Sequence, residues 1–404
     1  MARRKSGPPA PMTILESFEF AALRELLGTI GADGWLLYDF RGINPTATRV
    51  LGIHGMGTRR FFVLLPRTGK PVAIAHRIEM TSFAGFPGDV RPYASWRELH
   101  EQLRALVGGK TVAMEVSPGD AVPYLDRVPH GVIELIESVG ARVVSSGTLV
   151  TRFAARWSAS ELAGHRRAAE TIADIAVESL RWAGAELARG AEVRETTVQR
   201  RVLDAFTRAS LFTDHPPIVG FQPNSADPHY EPHAGRDRRL EAGNVLLLDL
   251  WAGVAEGSVF ADQTWMAFAG REAAAEVRTI WNSVRGARDA AISLLTERWK
   301  KHEPVTGAAL DDEARGVIRA AGYGDYFVHR TGHSIDRDLH GSGPHLDNFE
   351  TADERDLIPG VGFSVEPGVY LPGRFGVRSE VNVFLAEAGP EVTPRRPQQE
   401  LILV

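Results

Sequence analysis

The sequence predicts an α+β chain of two domains, in which a smaller α/β domain precedes a larger one. Three observations support this prediction. The 404 residues are more than a single hydrophobic core usually spans. The first 150 residues alternate short β-branched runs with helix-like stretches, as α/β domains do. From Ser158 onward the chain first becomes alanine-rich and helical, and then strand-rich.

The first domain shows short apolar runs bounded by Gly, Pro or charged residues, which predict strands. These runs are DGWLLYDF at 33–40, RRFFVLLP at 59–66, KPVAIAH at 70–76, KTVAMEV at 110–116 and ARVVSS at 141–146. Between them, 95–107 is expected to be helical because Leu99, Leu103 and Leu106 recur at helical spacing. We expect a disordered tail over 1–12, the α/β domain over 13–155 and the larger domain over 156–404.

The second domain is predicted to begin with a long helix, because Ser158 and Glu161 have the spacing of a capping box. The elements expected after it are a helix over 192–209, a strand-rich segment over 215–268, helices over 272–298 and 308–321, and turns and strands from 325 onward.

Composition excludes several classes of protein. A formal net charge of −5 without a long basic run argues against a nucleic-acid binder. No run approaches the eighteen apolar residues of a membrane helix, and no apolar region follows the basic first residues, so a cytoplasmic location is expected. Because the chain has no cysteine, any metal ion must be held by His, Asp and Glu.

The segment HRTGHSIDRDLHGSGPH, at 329–345, contains four of the thirteen histidines. Such a cluster can be structural, can bind a metal ion, or can serve acid–base chemistry. Acidic residues elsewhere in the second domain help to choose among these three possibilities.

Four carboxylates interrupt apolar runs: Asp249 in NVLLLDL, Asp262 in SVFADQTWMAF, Glu366 in VGFSVEPGVYL and Glu380 in GVRSEVNVFL. Burying a carboxylate costs several kcal/mol unless it is paired or binds a cation. Few Lys or Arg residues have apolar flanks here, so metal ions are the expected compensating charge. Oxygen and nitrogen ligands without sulfur suit a pair of divalent ions such as Mn²⁺, Co²⁺ or Zn²⁺.

Local patterns suggest how these carboxylates meet. Gly253 and Gly257 permit a hairpin turn, which would place Asp249 and Asp262 on one face as partners about 5 Å apart. Alternation along one continuous strand would place three polar side chains on one face, namely Arg378, Glu380 and Asn382.

The order of these residues resembles that of a known family. Asp249, Asp262, His333, Glu366 and Glu380, with the flanks LLLDLWAG, FADQT, HRTGHS, FSVEPGVY and GVRSEVNVF, resemble the ligand set of the pita-bread metallopeptidases. The resemblance extends over 158–404 and is closest to the Xaa-Pro aminopeptidase and prolidase branch. The preceding domain resembles the creatinase-type N-terminal domain of that branch.

The resemblance implies a role for each residue. Asp249 would bind one ion, His333 and Glu366 the other, and Asp262 and Glu380 both. Glu366 would also transfer the proton from metal-bound water to the leaving nitrogen. His229 and His340 would stabilise the scissile carbonyl. His329, Tyr370 and Arg378 would lie at the substrate pocket or behind the metal ligands.

By this resemblance the protein is expected to be a dinuclear hydrolase, with manganese before cobalt or zinc, that cleaves the bond before proline in peptides or dipeptides. A homodimer is expected by analogy with relatives. One alternative is a metal-dependent hydrolase of a non-proline dipeptide or another small amide or ester. Two others are a creatinase-like enzyme without metal and a catalytically inactive interaction module.

Overall fold

The computed structural model describes Leu15, residues 18–53 and residues 57–404. The tail predicted over 1–12 lies outside these residues. The chain divides into two compact units, of which the first ends at Ala154 and the second comprises Ala155–Val404. Within the described ranges, no helix combines the length and the apolar character needed to cross a membrane.

The first unit is a mixed sheet with helices. Its elements are α1 (Phe20–Thr29), β1 (Gly34–Asp39), α2 (Pro45–Leu51), β2 (Phe61–Pro66), β3 (Val72–His76), β4 (Asp89–Tyr93), α3 (Trp96–Val107), β5 (Thr111–Met114), α4 (His130–Ser138), β6 (Arg142–Ser145) and α5 (Gly147–Phe153), with short 3-10 helices at Arg77–Phe83, Pro118–Asp120 and Pro123–Leu125. The strand order is β4-β3-β2-β1-β5-β6, in which β1 pairs with β2 antiparallel and with β5 parallel.

Both faces of this sheet are covered, as alternation along β1 shows. Trp35 and Leu37 belong to one apolar core, whereas Leu36 and Tyr38 belong to the other. The five predicted strands are confirmed, and so is the helix over 95–107. The edge strand β4 was not predicted, because its sequence DVRPY has no apolar run and contains a proline, which edge strands tolerate.

The second unit contains α6 (Ala159–Ala188), α7 (Glu195–Ala209), β7 (Ile218–Phe221), β8 (Val245–Ala252), β9 (Ala261–Phe268), α8 (Ala275–Lys300), α9 (Gly307–Ala320), β10 (Ser334–Ile335), β11 (Gly362–Val365), β12 (Gly368–Leu371), β13 (Phe375–Arg378), β14 (Val381–Ala386), β15 (Gly389–Thr393) and β16 (Ile402–Leu403), with 3-10 helices at Gln222–Ala226 and Gly324–Tyr326. Its strands form the sheets β16-β9-β8-β7, β10-β11-β14-β15 and β12-β13. The predicted capping box at the start of α6 is confirmed, since Ser158 and Glu161 each bond the other's backbone N–H.

Alternation along β8 and β9 determines which way the two aspartates face. Leu246, Leu248 and Leu250 pack in the core that contains α6 and α7. Val245 and Leu247 pack in the core that contains α8, α9 and β11 to β14. Asp249 continues the second series, so it lies on the face toward α8 and the smaller sheets. By the same alternation Asp262 shares the face of Met266 and Phe268, which pack in that second core.

Two predictions about local geometry need correction. The hairpin of β8 and β9 forms, but Asp249 pairs with Thr264 and Asp262 pairs with Trp251, so the two aspartates are diagonal neighbours. The long loop between the strands sets this register. The single strand predicted through Arg378 and Glu380 is also wrong, because the chain leaves β13 at Arg378, passes through Ser379 and Glu380, and enters β14 in a different sheet.

Candidate metal centre

A cavity of about 640 Å³ in the second unit brings the predicted ligands together. The five residues predicted as metal ligands line it, namely Asp249, Asp262, His333, Glu366 and Glu380. The side chains come from β8, β9, the loop before β10, the residue after β11 and the connection between β13 and β14. His229, His329, His340 and Arg378 line the same cavity.

His333 lies at the centre of this group. Its Nε2 atom is 3.4 Å from Oδ2 of Asp262 and 3.3 Å from Oε1 of Glu366. Asp262, His333 and Glu380 each offer a ligand atom, and these three atoms all lie within 4.8 Å of one another. Oxygen and imidazole nitrogen atoms at this separation can contact one divalent cation together.

The carboxylates also have oxygens that the rest of the described chain does not satisfy. Oδ1 of Asp249, Oδ1 of Asp262 and Oε1 of Glu380 are buried without a hydrogen-bond partner among the described residues. Unpartnered buried polar atoms are rare in folded proteins and indicate a site for a water molecule or an ion. Because all three belong to anionic groups that line one cavity, the arrangement fits divalent cations.

Arg378 provides a positive charge inside the centre. Its Nη2 atom is paired with Oδ2 of Asp249, and its Nη1 atom is 4.0 Å from Oε2 of Glu366. The Nε–H donates to Thr264 Oγ1 at 2.7 Å, and the same hydroxyl donates to Oε2 of Glu380 at 2.7 Å. Arg378 therefore holds one oxygen of Asp249 and, through Thr264, orients Glu380.

Burial and mutual repulsion perturb the acids. Burial raises the pKa of Asp249 to about 7, although Arg378 opposes the rise. Burial and the neighbouring Asp262 raise the pKa of Glu380 well above its usual value. Burial also acts on Glu366, but His333 and Arg378 outweigh it and lower the pKa of Glu366 to about 2. A cluster of buried acids of this kind favours the binding of a cation, which stabilises the ionised carboxylates.

The clustered histidines have different surroundings. His340 packs against His333 with ring centroids 4.2 Å apart, and this neighbour lowers the pKa of His340 to about 3. His329 contacts the Tyr370 hydroxyl through Nε2 at 2.8 Å. His345 is fully buried, and its Nδ1 accepts the backbone N–H of Ser334 at 3.1 Å. The segment 329–345 thus combines three cavity histidines with one that supports the loop.

Sequence reasoning missed Ser364, and it named Asn382 without assigning it a role, although both residues hold ligands. Ser364 donates its hydroxyl to Oε1 of Glu366 at 2.9 Å and accepts the N–H of His333 at 2.9 Å. The Asn382 side chain accepts the backbone N–H of Asp262 and donates to the carbonyl of the same residue. A Ser or Asn in an apolar strand was a usable signal, because such residues are buried only with partners.

Glu195, near the start of α7, anchors the segment that carries His229. It is fully buried and accepts hydrogen bonds from the backbone N–H groups of Phe221 and Arg238 and from the Tyr230 hydroxyl at 2.7 Å. Nothing in the helix-like sequence around Glu195 distinguishes it from a surface carboxylate. Its partners come from residues 26 to 43 positions away, so only the fold reveals them.

Comparison with known proteins agrees with this geometry. Residues 164–387, more than half of the chain, match the family model of metallopeptidase family M24. A protein named probable dipeptidase PepE, from Mycobacterium tuberculosis (strain ATCC 25618 / H37Rv), is 28% identical over 356 residues, which cover 85% of each chain. A Xaa-Pro dipeptidase from Lactobacillus delbrueckii subsp. lactis is 33% identical over 163 residues, which cover 40% of each chain.

Among solved structures, dipeptidase PepE from Mycobacterium ulcerans superposes with a TM-score of 0.72 at 24% identity, covering 95% of this chain and 96% of that one. A recombinant prolidase from Thermococcus sibiricus superposes with a TM-score of 0.67 at 22% identity, covering 98% and 100%. These likenesses establish the fold, and the predicted pita-bread architecture with mixed sheets and helices is confirmed.

Proposed function

This chain belongs to metallopeptidase family M24 and is a peptidase, and from that premise we propose that it is a dipeptidase that uses two divalent metal ions to cleave the bond before proline. One observation carries the proposal. Three buried carboxylates around His333 each keep an oxygen without a hydrogen-bond partner among the described residues. Without cations, this concentration of buried negative charge would be strongly unfavourable.

We assign the two ions to the five predicted ligands that line the cavity. Asp249 would bind one ion, His333 and Glu366 the other, and Asp262 and Glu380 would contact both. Manganese is the proposed metal. When bound, a pair of divalent ions lowers the pKa of a water molecule toward neutrality and polarises a carbonyl group.

The chain's own groups would supply the remaining chemistry. Glu366 is ionised at neutral pH because His333 and Arg378, acting against burial, lower its pKa to about 2, so it can accept a proton from the attacking water. The same carboxyl group can then protonate the leaving nitrogen. His340 and His229 line the cavity and would donate hydrogen bonds to the scissile carbonyl oxygen as negative charge develops on it.

The substrate is proposed to be short. A cavity of about 640 Å³ lies within the range of small-ligand sites. It offers Arg330 and His215 as basic groups and Glu231 and Glu350 as acidic groups, which suits a ligand with a carboxylate at one end and an ammonium at the other. The mycobacterial relatives are named dipeptidases, and the Thermococcus structure is a prolidase.

A second candidate keeps the metal ions and drops the preference for proline. The relative that matches 85% of this chain is named only a dipeptidase, whereas the relative named a Xaa-Pro dipeptidase matches 40%. The alternative substrate is therefore a non-proline dipeptide, or another small amide or ester.

A peptide panel with metal analysis on the same sample tests both candidates. The purified protein is stripped with a chelator, reloaded with Mn²⁺, Co²⁺ or Zn²⁺, and assayed on Gly-Pro, Ala-Pro, Ala-Ala and a longer Xaa-Pro peptide. The proposal predicts about two bound ions and cleavage of Gly-Pro and Ala-Pro. Equal cleavage of Ala-Ala would favour the alternative. A reloaded sample that cleaves none of the peptides would contradict the proposal and the dipeptide form of the alternative.

A further inference from the structure

Arg288, on α8, is a charged residue in the interior that does not line the cavity. Only 1% of its surface is exposed, although burying a guanidinium is costly unless its donors are satisfied. Nε and Nη2 donate to Oδ1 of Asp289 at 2.9 and 2.7 Å, while Nη1 donates to Ser379 Oγ and to the Gln398 carbonyl, both at 2.9 Å. Asp289 is half-exposed, whereas the Nη1 end of the buried guanidinium bonds Ser379 and Gln398.

Ser379 lies beside the metal centre in the chain and does not line the cavity. It lies between Arg378, which pairs with Asp249, and Glu380. Its N–H donates to the carbonyl of Pro367, the residue after Glu366, at 3.3 Å. Ser379 and Glu380 fall in the gap between β13 and β14, so strand pairing does not fix them. The hydrogen bonds from Arg288 to Ser379 and from Thr264 to Glu380 are therefore side-chain contacts that restrain this connection.

The second contact of Arg288 reaches the strand that carries Asp262. Arg288 Nη1 bonds the Gln398 carbonyl. The Gln398 side chain in turn accepts the N–H of Met266 at 2.8 Å and donates to the Met266 carbonyl at 2.7 Å. Met266 lies on β9, four residues after Asp262. The Arg288 guanidinium therefore links Ser379, which precedes Glu380, to Gln398, whose side chain is hydrogen-bonded to Met266 on β9.

We propose that Arg288 is a positioning residue for the metal centre, which fixes Ser379 and through it the separation of Glu380 and Asp262. This inference rests on the proposed function, because it assigns Arg288 a task only if divalent cations bind between these carboxylates. Metal ligands must be held to within about half an ångström of their binding geometry, and residues that support the ligands set that precision.

The test is a Mn²⁺ titration of the metal-free protein by calorimetry, which needs no substrate. Arg288→Gln and Ser379→Ala each remove the hydrogen bond, and each is expected to weaken Mn²⁺ binding about tenfold. The double variant should be no weaker than Arg288→Gln alone, because both changes break the same bond. Arg288→Lys keeps a donor toward Ser379 and should recover part of the affinity.

A matched control separates positioning from general destabilisation. Leu295 is fully buried on the same helix and has no polar contact with the centre, so Leu295→Ala should lower the melting temperature and leave Mn²⁺ affinity unchanged. If Arg288→Gln does not fold, Ser379→Ala decides the question. Wild-type affinity in Ser379→Ala would overturn the inference, and so would equal weakening in Leu295→Ala. A wild-type protein that binds no Mn²⁺ would instead overturn the proposed function itself.

Discussion

Thr264 donates its hydroxyl proton to Oε2 of Glu380 at 2.7 Å and accepts the Nε–H of Arg378 at the same distance. One hydroxyl thus orients a proposed ligand and the arginine that holds Asp249. Thr264→Val keeps the shape of the side chain and removes both bonds, so we expect Mn²⁺ to bind about 10- to 100-fold more weakly. Calorimetric titration measures this, and Thr264→Ser should stay near wild type. Equal affinity in the Val and Ser variants would show that the hydroxyl is unimportant.

His340 should affect catalysis without affecting metal content. It packs 4.2 Å from His333, measured between ring centroids, and it is a candidate donor to the scissile carbonyl. For His340→Ala we expect kcat to fall about 10²- to 10³-fold, because one stabilising donor is lost. Steady-state kinetics and metal analysis are done on the same preparation. His130→Ala is the control, since this exposed histidine of the first unit pairs with Glu134, lies outside the cavity lining and should leave both measurements unchanged.

Glu195 should support both stability and activity, because it holds the segment that contains His229. Glu195→Gln replaces an acceptor with a donor that faces N–H and O–H groups, so we expect the free energy of unfolding to fall by about 1–3 kcal/mol. Displacement of His229 should also lower kcat while metal content stays constant. Tyr230→Phe removes a single hydrogen bond to Glu195 and should lower the free energy of unfolding by about 1 kcal/mol. Unchanged stability and kcat in Glu195→Gln would contradict this role.

His165 makes stability depend on pH, although it does not line the cavity. It is fully buried, and its ring contacts the Phe260 carbonyl and the Thr393 hydroxyl, both at 2.8 Å. Burial lowers the pKa of His165 from 6.5 to about 4. Between these values the unfolded chain binds more protons than the folded one, so stability decreases as the pH falls through this window.

Between pH 7 and pH 4, the protonation equilibrium of His165 is expected to lower the free energy of unfolding by roughly 3 kcal/mol. Because many carboxyl groups titrate in the same range, the measured quantity is the difference between wild type and His165→Gln in urea unfolding at each pH. This difference should shrink as the pH falls. A difference that stays constant from pH 7 to pH 4 would show that His165 is not held neutral in the folded protein.

Part of the centre was predictable from sequence for a physical reason. Asp249, Asp262, Glu366 and Glu380 interrupt apolar runs, and a buried carboxylate needs compensation wherever it occurs. The strands and the capped helix after Ser158 were predictable because hydrophobic period and capping spacing are local properties.

The rest depends on distant parts of the chain. The pairing of Asp249 with Thr264 follows from the loop that joins β8 and β9, and spacing alone suggested that the two aspartates lie opposite each other. Arg288 lies in a helix whose pattern does not separate it from surface arginines, and its partner Ser379 is 91 residues away. The chain passes from one sheet to another at Ser379 and Glu380, and this could not be predicted because the sequence there reads as one continuous strand.

We propose that divalent cations compensate the charge of these buried acids, and metal binding by wild type and Asp262→Asn is the decisive test. Both proteins are stripped, titrated with Mn²⁺ and analysed for bound metal, with Glu115→Gln as a control because Glu115 is a buried carboxylate of the first unit, fully hydrogen-bonded by Trp35, Asn44 and Ser146. We predict about two ions in wild type and in Glu115→Gln, and loss of binding and of turnover in a folded Asp262→Asn. Equal metal content and turnover in Asp262→Asn and wild type would show that these acids do not hold catalytic cations.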